Sequence, residues 1–349
     1  MLYWLILGSI CDKMAGLILI FLEGGLHIMK ISTIPMDENE HASRRTELNR
    51  ADQSMFLGDG RFILNTFIWK TILQIQDIIR GVLDEHFSEI GMFFDMEDSS
   101  DVDSHFIKKL VEAYGEPQAV YYFQSKSIEA KKYSFIPSNV SQQLSLYSIS
   151  KKVEEINKQC HRIQKDFLEI FHQIDLPIGS DLRLLPARDK HSEFFECWGA
   201  IVGEIHPIEV EDYYVVKGNI NISQIIDSFI WVNYFPHGFY LPENVAPFEY
   251  AIVNDDLQEQ NDKAKLLHKK LSKLGVRVLW DNRDISYDEK LEFISKLGIN
   301  RVILLDGTTY EGDSEEDFTF KILYRISSKV TTFSLKKFLR LFKRSNLMK

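Results

Sequence analysis

The chain of 349 residues is long enough for two domains that each bury a core, and too long for a peptide hormone or a tail. Hydrophobic residues make up 45% and charged residues 26%, which excludes global disorder; 41 Lys+Arg against 51 Asp+Glu give a net charge of −10, which excludes a generic DNA-coating role. The three cysteines, Cys11, Cys160 and Cys197, lie far apart without a C-x-x-C pair, so neither a disulfide framework nor a cysteine zinc site is expected and a reducing, cytoplasmic compartment fits.

The first apolar runs, Leu2–Cys11 and Met14–Leu22, are split by Asp12 and Lys13, and each falls short of the roughly 20 residues of a membrane span. The flanks of a signal peptide are missing. Glu23-Gly24-Gly25 is what a purine-rich ribosome-binding sequence spells when translated, with Leu26-His27-Ile28 as the spacer. Residues 1–28 therefore read as a mis-assigned start ahead of Met29, the alternatives being an apolar leader helix, amphipathic or membrane-anchoring, and an ordinary buried helix. From Arg61 to Phe87 the apolar positions Ile63, Phe67, Ile68, Ile72, Ile75, Ile78, Ile79, Val82 and Leu83 recur at three- and four-residue steps and predict a long amphipathic helix. The alternating carboxylates of Asp95–Asp103 lack the central glycine and closing glutamate of a calcium loop, so a solvated acidic loop is expected. Short strands are predicted at Ala119–Phe123 and Lys132–Ile136, then a helix over Val153–Ile174 closed by Pro177 and Gly179.

Strands over Phe194–Val202 and Tyr213–Lys217, followed by a helix from Ser223 to Val232, predict antiparallel pairing, because the connections are too short for helical crossovers. The run at 238–247 reads as a linker. Beyond it the style changes. Tyr250–Val253, a helix over Asn261–Leu274 stopped by Gly275, Val276–Trp280, a helix over Tyr287–Leu297 stopped by Gly298, and Val302–Leu305 make a β-α-β-α-β unit with a parallel or mixed sheet. After Asp317 no acidic residue occurs, whereas Lys321, Arg325, Lys329, Lys336, Lys337, Arg340, Lys343, Arg344 and Lys349 make a basic end. Phe333, Leu335, Phe338, Leu339, Leu341 and Phe342 supply it with the apolar stripe of a closing helix. Its cations read as an RNA phosphate-tracking patch, as a merely solvated face, or as a membrane-surface helix. The donor-type run His191, Glu193, Glu196 and Cys197 alternates with Phe194, Phe195 and Trp198 as on a half-buried strand, so no metal site is assigned. Gly58 and Gly60 read as a turn rather than a phosphate loop.

The order of elements and several motifs resemble the class II aminoacyl-tRNA synthetases, specifically a bacterial-type prolyl-tRNA synthetase. Val245-Ala246-Pro247-Phe248-Glu249, then Gly275-Val276-Arg277-Val278-Leu279-Trp280-Asp281-Asn282-Arg283, Lys290, and Leu297-Gly298-Ile299 are similar to the anticodon-binding domain of the prolyl, threonyl, histidyl and glycyl enzymes. Leu48-Asn49-Arg50-Ala51 and Gly60 resemble the approach to the first class II motif, and Tyr133-Ser134-Phe135 stands where the family writes Asp-Ala-Tyr-Ser-Phe. Gly218–Gln224 stands where its third motif ends in Ser-Arg. The resemblance implies an α+β fold: a class II antiparallel sheet with helices over residues 29–240, followed by an α/β anticodon-binding-type domain over 247–349. It also implies dimerisation through the first-motif helix, either as a homodimer or by pairing with a related synthetase.

Amino-acid activation places negative charge on a triphosphate and needs fixed guanidiniums. Counted back from Phe135, the family's second-motif arginine falls on Ser125, and the third-motif arginine falls on Gln224. Lys126, Lys131 or Lys132 could supply substitute charge. The Thr-x-Glu segment that holds proline has no counterpart between Asp95 and Pro117, and the roughly eighty residues between Phe135 and Gly218 leave no room for an editing domain. No catalytic residue is assigned. By resemblance Asp281, Arg283 and Lys290 lie near the anticodon, although the family's Asp-Asp-Arg reads Asp281-Asn282-Arg283 and its proline after Gly-Ile is Asn300. The expectation is a paralogue that binds tRNA or tRNA-like RNA, not DNA or membrane, without efficient aminoacylation. ATP and magnesium are cofactors only if the alternative, an active ligase for tRNA or another acceptor, holds; a second alternative is a regulatory subunit paired with another enzyme.

Overall fold

The computed structural model describes residues 17–22, 25–30, 54–58, 61–64, 66–90, 104–115, 118–127, 140–176, 182–186, 192–197, 200–210, 212–235, 238–255, 258–295, 297–305 and 318–345. Two compact units are present, Met1–Glu47 and Leu48–Lys349. In the first, β1 (Leu17–Leu22) and β2 (Gly25–Lys30) pair antiparallel, from Leu17 opposite Lys30 to Leu22 opposite Gly25. The second apolar run thus supplies a strand where a helix was an option, in keeping with its alternating isoleucines, which suit extended backbone.

The second unit includes the hairpin β3 (Ser54–Gly58) and β4 (Arg61–Leu64), whose backbone register pairs Met55 with Ile63 and Phe56 with Phe62. Helix α1 follows at Thr66–Leu83. The helix expected from Arg61 therefore starts five residues later, because a four-residue apolar run fits either period and cross-strand pairing decides it here. Ile68, Ile72, Ile75, Ile79, Val82 and Leu83 form the buried stripe of α1, each contributing about 1.5–3 kcal/mol by leaving water. Next come β5 (Ser88–Glu89), α2 (Ser104–Tyr114), β6 (Gln118–Ser127), β7 (Val140–Ser150) and α3 (Glu154–Gln173). Helix α3 ends in a Schellman arrangement: Asp175 takes a φ of 58°, Leu176 N donates to Phe171 O at 2.9 Å and Asp175 N to His172 O at 3.1 Å. Then follow β8 (Leu182–Pro186), β9 (Glu193–Cys197), β10 (Ala200–Val210), β11 (Tyr213–Asn221), α4 (Ile222–Val232) and the short pair β12 (Tyr234–Phe235) and β13 (Gly238–Phe239).

These strands form a seven-stranded sheet in the order β5-β6-β7-β11-β10-β9-β8, antiparallel throughout except between β5 and β6. The expected Phe194–Val202 strand is two strands, β9 and β10, joined antiparallel with a bulge between Ile201 and Gly203. The strand expected at Lys132–Ile136 lies outside the described residues. The long partner of β6 is instead β7, which the sequence reading passed over because Ser145, Ser148 and Ser150 dilute its apolar alternation.

One face of the sheet carries Tyr121, Phe123, Leu144, Leu146, Val216, Ile220 and Ile205 under α1, α3 and α4. Helix α3 lies close to it because Gly218 has no side chain: a Cβ there would sit 3.0 Å from Leu146 and from the Phe167 ring. The opposite face is apolar at one end, where Val120, Tyr122, Tyr147, Ile149 and Val215 cluster with Ile107 and Leu110 of α2. At its other end the alternation brings polar residues forward.

The expected β-α-β-α-β unit is present as β14 (Tyr250–Asn254), α5 (Gln258–Lys273), β15 (Val278–Trp280), α6 (Tyr287–Ser295) and β16 (Arg301–Leu305). It is extended by β17 (Thr319–Tyr324), β18 (Lys329–Ser334) and α7 (Leu335–Ser345) into a five-stranded mixed sheet in the order β15-β14-β16-β17-β18. Strand β14 is parallel to β15 and β16, while β16-β17-β18 run antiparallel. The β17–β18 hairpin was not anticipated, and Phe333 sits on β18 rather than on the closing helix. Gly275 and Gly298 end α5 and α6 with φ of 77° and 72°.

The 238–247 run is no loose linker, since Phe239, Leu241, Val245 and Ala246 are buried in the core of the seven-stranded sheet. Leu241 N donates to Gly298 O at 3.0 Å. Arg325, counted above with the basic end, turns inward: Nη1 donates to Ile299 O at 2.8 Å and to Phe239 O at 3.4 Å, and Nη2 to Ser295 O at 2.9 Å. Burial lowers its pKa to about 10. Its guanidinium thereby bolts the α6 carboxyl end to the strand that leads out of the larger sheet.

Candidate functional site

The two positions at which the resemblance expects arginines lie in one neighbourhood. Ser125 on β6 pairs in register with Gln142 on β7, whose Nε2 donates to Ser125 Oγ at 2.6 Å. Gln142 N donates in turn to Ser223 Oγ at 2.9 Å, at the start of α4. Gln224 follows in the first turn of α4, its N–H donating to the N-cap oxygen Asn221 Oδ1 at 3.0 Å, the cap that lets the helix begin here. Ser125, Gln142, Ser223 and Gln224 are all neutral at any pH near 7. They can hydrogen-bond a ligand but carry no charge with which to meet a triphosphate. Lys131 and Lys132 lie outside the described residues, as do Tyr133-Ser134-Phe135 and the Asp95–Asp103 loop.

On the opposite face of the same strands runs a connected polar chain that the sequence reading missed. Gln124 Nε2 donates to Ser145 Oγ at 2.9 Å, Ser145 Oγ to Asn219 Oδ1 at 2.9 Å, and Asn219 Nδ2 to Glu204 Oε1 at 2.7 Å. The other Glu204 oxygen is 3.1 Å from His206 Nε2, and His206 Nδ1 is 2.8 Å from Ser192 Oγ. Every amide and hydroxyl donor in the first three links points toward Glu204, as suits an ionised carboxylate. Burial alone would raise its pKa, but the hydrogen bonds from His206 and Asn219, with the His206 and Lys217 charges beyond them, win and hold it below the usual carboxylate range. The signal for this chain was the i, i+2 spacing of Glu204 and His206 on one strand, legible only once the register places Asn219 opposite Glu204 and Ser145. Chemically the row offers amides, hydroxyls, one carboxylate and one imidazole, a set that can orient a small polar ligand.

Among the described residues no group of three or more His, Cys, Asp and Glu is placed to hold a metal ion. Phe195 and Cys197 both turn into the core, which places Cys197 on the apolar side of β9 rather than with the donor-type residues it was grouped with in sequence. Cys160 is half-buried beside the same core, and its thiol is pushed up to about 11, chiefly by burial and then by Glu193. No helix among the described residues is long and apolar enough to cross a membrane.

In the five-stranded sheet, Asp281, Arg283 and Lys290 gather at the carboxyl ends of β14 and β15, where the chain leaves β14 for one side and returns to the other; ligands of open α/β sheets bind at such switch points. Asn254, fully buried at the end of β14, is the hub. Its Nδ2 donates to Asn261 Oδ1 at 2.8 Å, its Oδ1 accepts from Trp280 Nε1 at 2.9 Å, and its carbonyl accepts from Lys290 Nζ at 3.3 Å. Lys290 is only 1% exposed. Asp281 is held in a fork by Arg283, with Nε to Oδ1 at 2.8 Å and Nη2 to Oδ2 at 2.6 Å, and the guanidinium stacks 3.8 Å over the Phe293 ring. That fork raises the Arg283 pKa. Of the three residues, Arg283 alone reaches solvent. Helix α6 opens just beyond with a capping box, in which Glu289 N donates to Ser286 Oγ at 3.3 Å and Ser286 N to Glu289 Oε2 at 3.0 Å.

No family model matches the chain. A proline-tRNA ligase of Ehrlichia chaffeensis is 34% identical over 95 residues, covering 27% of this chain and 22% of that protein, and one of Rickettsia canadensis is 28% identical over 85 residues, covering 24% and 18%. The matched segments thus span about a fifth of those curated relatives. Among solved structures, a Giardia lamblia prolyl-tRNA synthetase in complex with prolyl-adenylate superposes with a TM-score of 0.67 at 13% identity, covering 86% of this chain and 75% of that one. A Cryptosporidium parvum prolyl-tRNA synthetase complexed with L-proline and AMP gives 0.69 at 13%, covering 88% and 76%. The chain has the mixed α+β, antiparallel-rich fold of the class II prolyl-tRNA synthetases.

Proposed function

We propose that this prolyl-tRNA synthetase-like chain binds tRNA, or RNA of tRNA-like shape, without efficient aminoacylation. The observation that carries the reading is the neutral set Ser125, Gln142, Ser223 and Gln224 where charge is needed. A preorganised guanidinium–phosphate contact stabilises the transition state by about 2–4 kcal/mol, so two losses lower the activation rate by roughly three to six powers of ten. This neutral set does not fit a bound ATP and magnesium, since it offers a triphosphate hydrogen bonds but no charge. A class II-type domain over residues 29–240 and an anticodon-binding-like domain over 247–349 would divide the work, the first retaining a polar face for a small ligand and the second engaging RNA. Arg283, the solvent-facing member of its cluster, is the RNA contact proposed at that end, with Asp281 and Lys290 setting the shape of the loop beneath it. A cytoplasmic setting fits the thiol cysteines.

Helix α1 supports pairing of two chains. Trp69, 43% exposed, and Leu73 stand one turn apart on its outer side, apolar surface that a second copy or a related synthetase would cover.

The test is amino-acid-dependent ATP–pyrophosphate exchange on the purified chain, with proline and a pool of the other amino acids. The expected result is no exchange above a control without amino acid, together with tRNA binding that needs no ATP and weakens steeply with salt. Exchange above the control would overturn the proposal in favour of an active ligase. Absence of both exchange and RNA binding would leave the protein-partner role.

A further inference from the structure

The two helical layers of the five-stranded sheet carry opposite charge. On one side, α5 and α7 share a core through Ala264, Leu267, Leu271, Leu335 and Phe338. Helix α5 has five lysines against two carboxylates, and α7 has five cations and no carboxylate. Lys265, Lys269 and Lys273 of α5 and Lys336, Lys337 and Arg340 of α7 are exposed. Glu259, one of the two carboxylates, is paired with Lys263 at the amino-terminal end of α5. On the other side, α6 packs through Ile294, with Leu297 just beyond its end in the same cluster; its Asp288, Glu289 and Glu292 are exposed, as is Asp284 before it, and its own Lys290 is buried.

We propose that the α5/α7 layer is the principal RNA-docking surface of this chain, a phosphate-binding face on the opposite side of the sheet from α6. The inference rests on the RNA-binding reading above and says where the backbone is held. In a chain of net charge −10, attraction to a polyanion depends on a surface where cations outnumber carboxylates, and this layer meets that condition, with ten cations against Glu259 and Asp262, while exposed carboxylates crowd the outer side of α6. Sixteen residues of α5 extend ~24 Å at 1.5 Å per residue, long enough to meet several consecutive phosphates. The cations sit on helices anchored by buried side chains, so little ordering entropy opposes binding. On these two helices Leu341 is the one large apolar side chain left exposed among the described residues, too little for insertion into a lipid surface. Contacts of this kind read backbone, not sequence.

The experiment measures binding of unfractionated tRNA to the full chain as a function of salt, for the wild type and for three variants. These are Lys336→Glu/Lys337→Glu/Arg340→Glu, Lys265→Glu/Lys269→Glu/Lys273→Glu, and Arg283→Gln. The expected outcome is at least a hundredfold weaker binding for each triple variant, with a log–log salt slope shallower by about two to three, because each phosphate contact accounts for about 0.7–0.9 of slope. Arg283→Gln is expected to lose less than fivefold. All six reversed cations are exposed, and unchanged circular dichroism and thermal melting confirm folding. A large loss in Arg283→Gln with near-wild-type binding in both triples would overturn the inference while leaving RNA binding intact. Binding of polyglutamate but not tRNA, sensitive to the same cations, would overturn it in favour of an acidic protein partner. A wild type that binds no tRNA at all would remove the RNA-binding reading itself and this inference with it.

Discussion

In the five-stranded half of the molecule, Arg325 reaches three carbonyls, Asp281 is forked by Arg283, and Lys290 donates to the Asn254 carbonyl. Beside the seven-stranded sheet, Asp166 of α3 is 6% exposed and its Oδ2 is buried with no hydrogen-bond partner among the described residues. Burial is the main reason its pKa is raised, with Glu169 adding to it against the pull of His86, Arg162 and Lys165. A paired buried charge is a structural fastening whose removal strands its partners; an orphaned one is a cost the fold carries, and neutralising it releases that cost.

The largest effect is expected where the fastening is most complete. Arg325→Ala leaves the carbonyls of Phe239, Ser295 and Ile299 without this donor and should destabilise by about 3–5 kcal/mol in urea denaturation, with Arg325→Lys recovering less than half because one ammonium cannot span them. Equal stability of Arg325→Ala and wild type would remove the bolt from this account. Gly298→Ala comes next, at about 2–3 kcal/mol. The added Cβ would sit 2.8 Å from the Phe239 ring on a backbone with φ of 72°, and Phe239→Leu in the same chain should relieve the clash but not the backbone strain.

Asp166→Asn should act in the opposite direction, stabilising by about 1 kcal/mol at pH 7. The folded Asp166 holds its proton more tightly than the unfolded chain, whose ordinary value is 3.8, so wild-type stability falls as pH rises from there through the raised folded value. The variant loses that decline, and melting temperatures across pH 3–7 would expose a wrong assignment if the two curves ran parallel. The smallest effect is expected for Glu204→Gln, below about 1 kcal/mol, since the chain of amides and hydroxyls can rearrange around an amide. Here the sign reverses. Glu204 is held below its ordinary 4.5, so its contribution is present above that value and is lost as pH falls through the lowered folded one; the variant should flatten this acid limb.

Much of the fold was legible along the chain. The three- and four-residue spacing from Ile68 to Leu83, the Gly275 and Gly298 stops, and the β14-to-β16 alternation each express a local preference that tertiary packing reinforced. Local signals are ambiguous at particular positions: Arg61–Leu64 fits either period, the serines of β7 hide its alternation, and in β17 and β18 Lys321 and Lys329 mask the apolar positions Phe320, Ile322 and Phe333 within a basic end. The candidate site was half legible. Ser125 and Gln224 could be named by counting along motifs, but their meeting through Gln142 and Ser223 depends on which residues of β6, β7 and α4 become neighbours.

Charge composition, helix stops and strand-forming alternation are properties of residues and their near neighbours along the chain, so the sequence by itself determined the α+β plan, the basic end and the neutral residues at the two motif positions. The side that each charge faces is set by register and packing between segments far apart in sequence. Only the tertiary structure therefore decided that Arg325 and Lys290 turn inward, that Glu204 completes a row begun at Gln124, and that the cations of α5 and α7, some seventy residues apart, share one layer while the carboxylates of α6 face the other way.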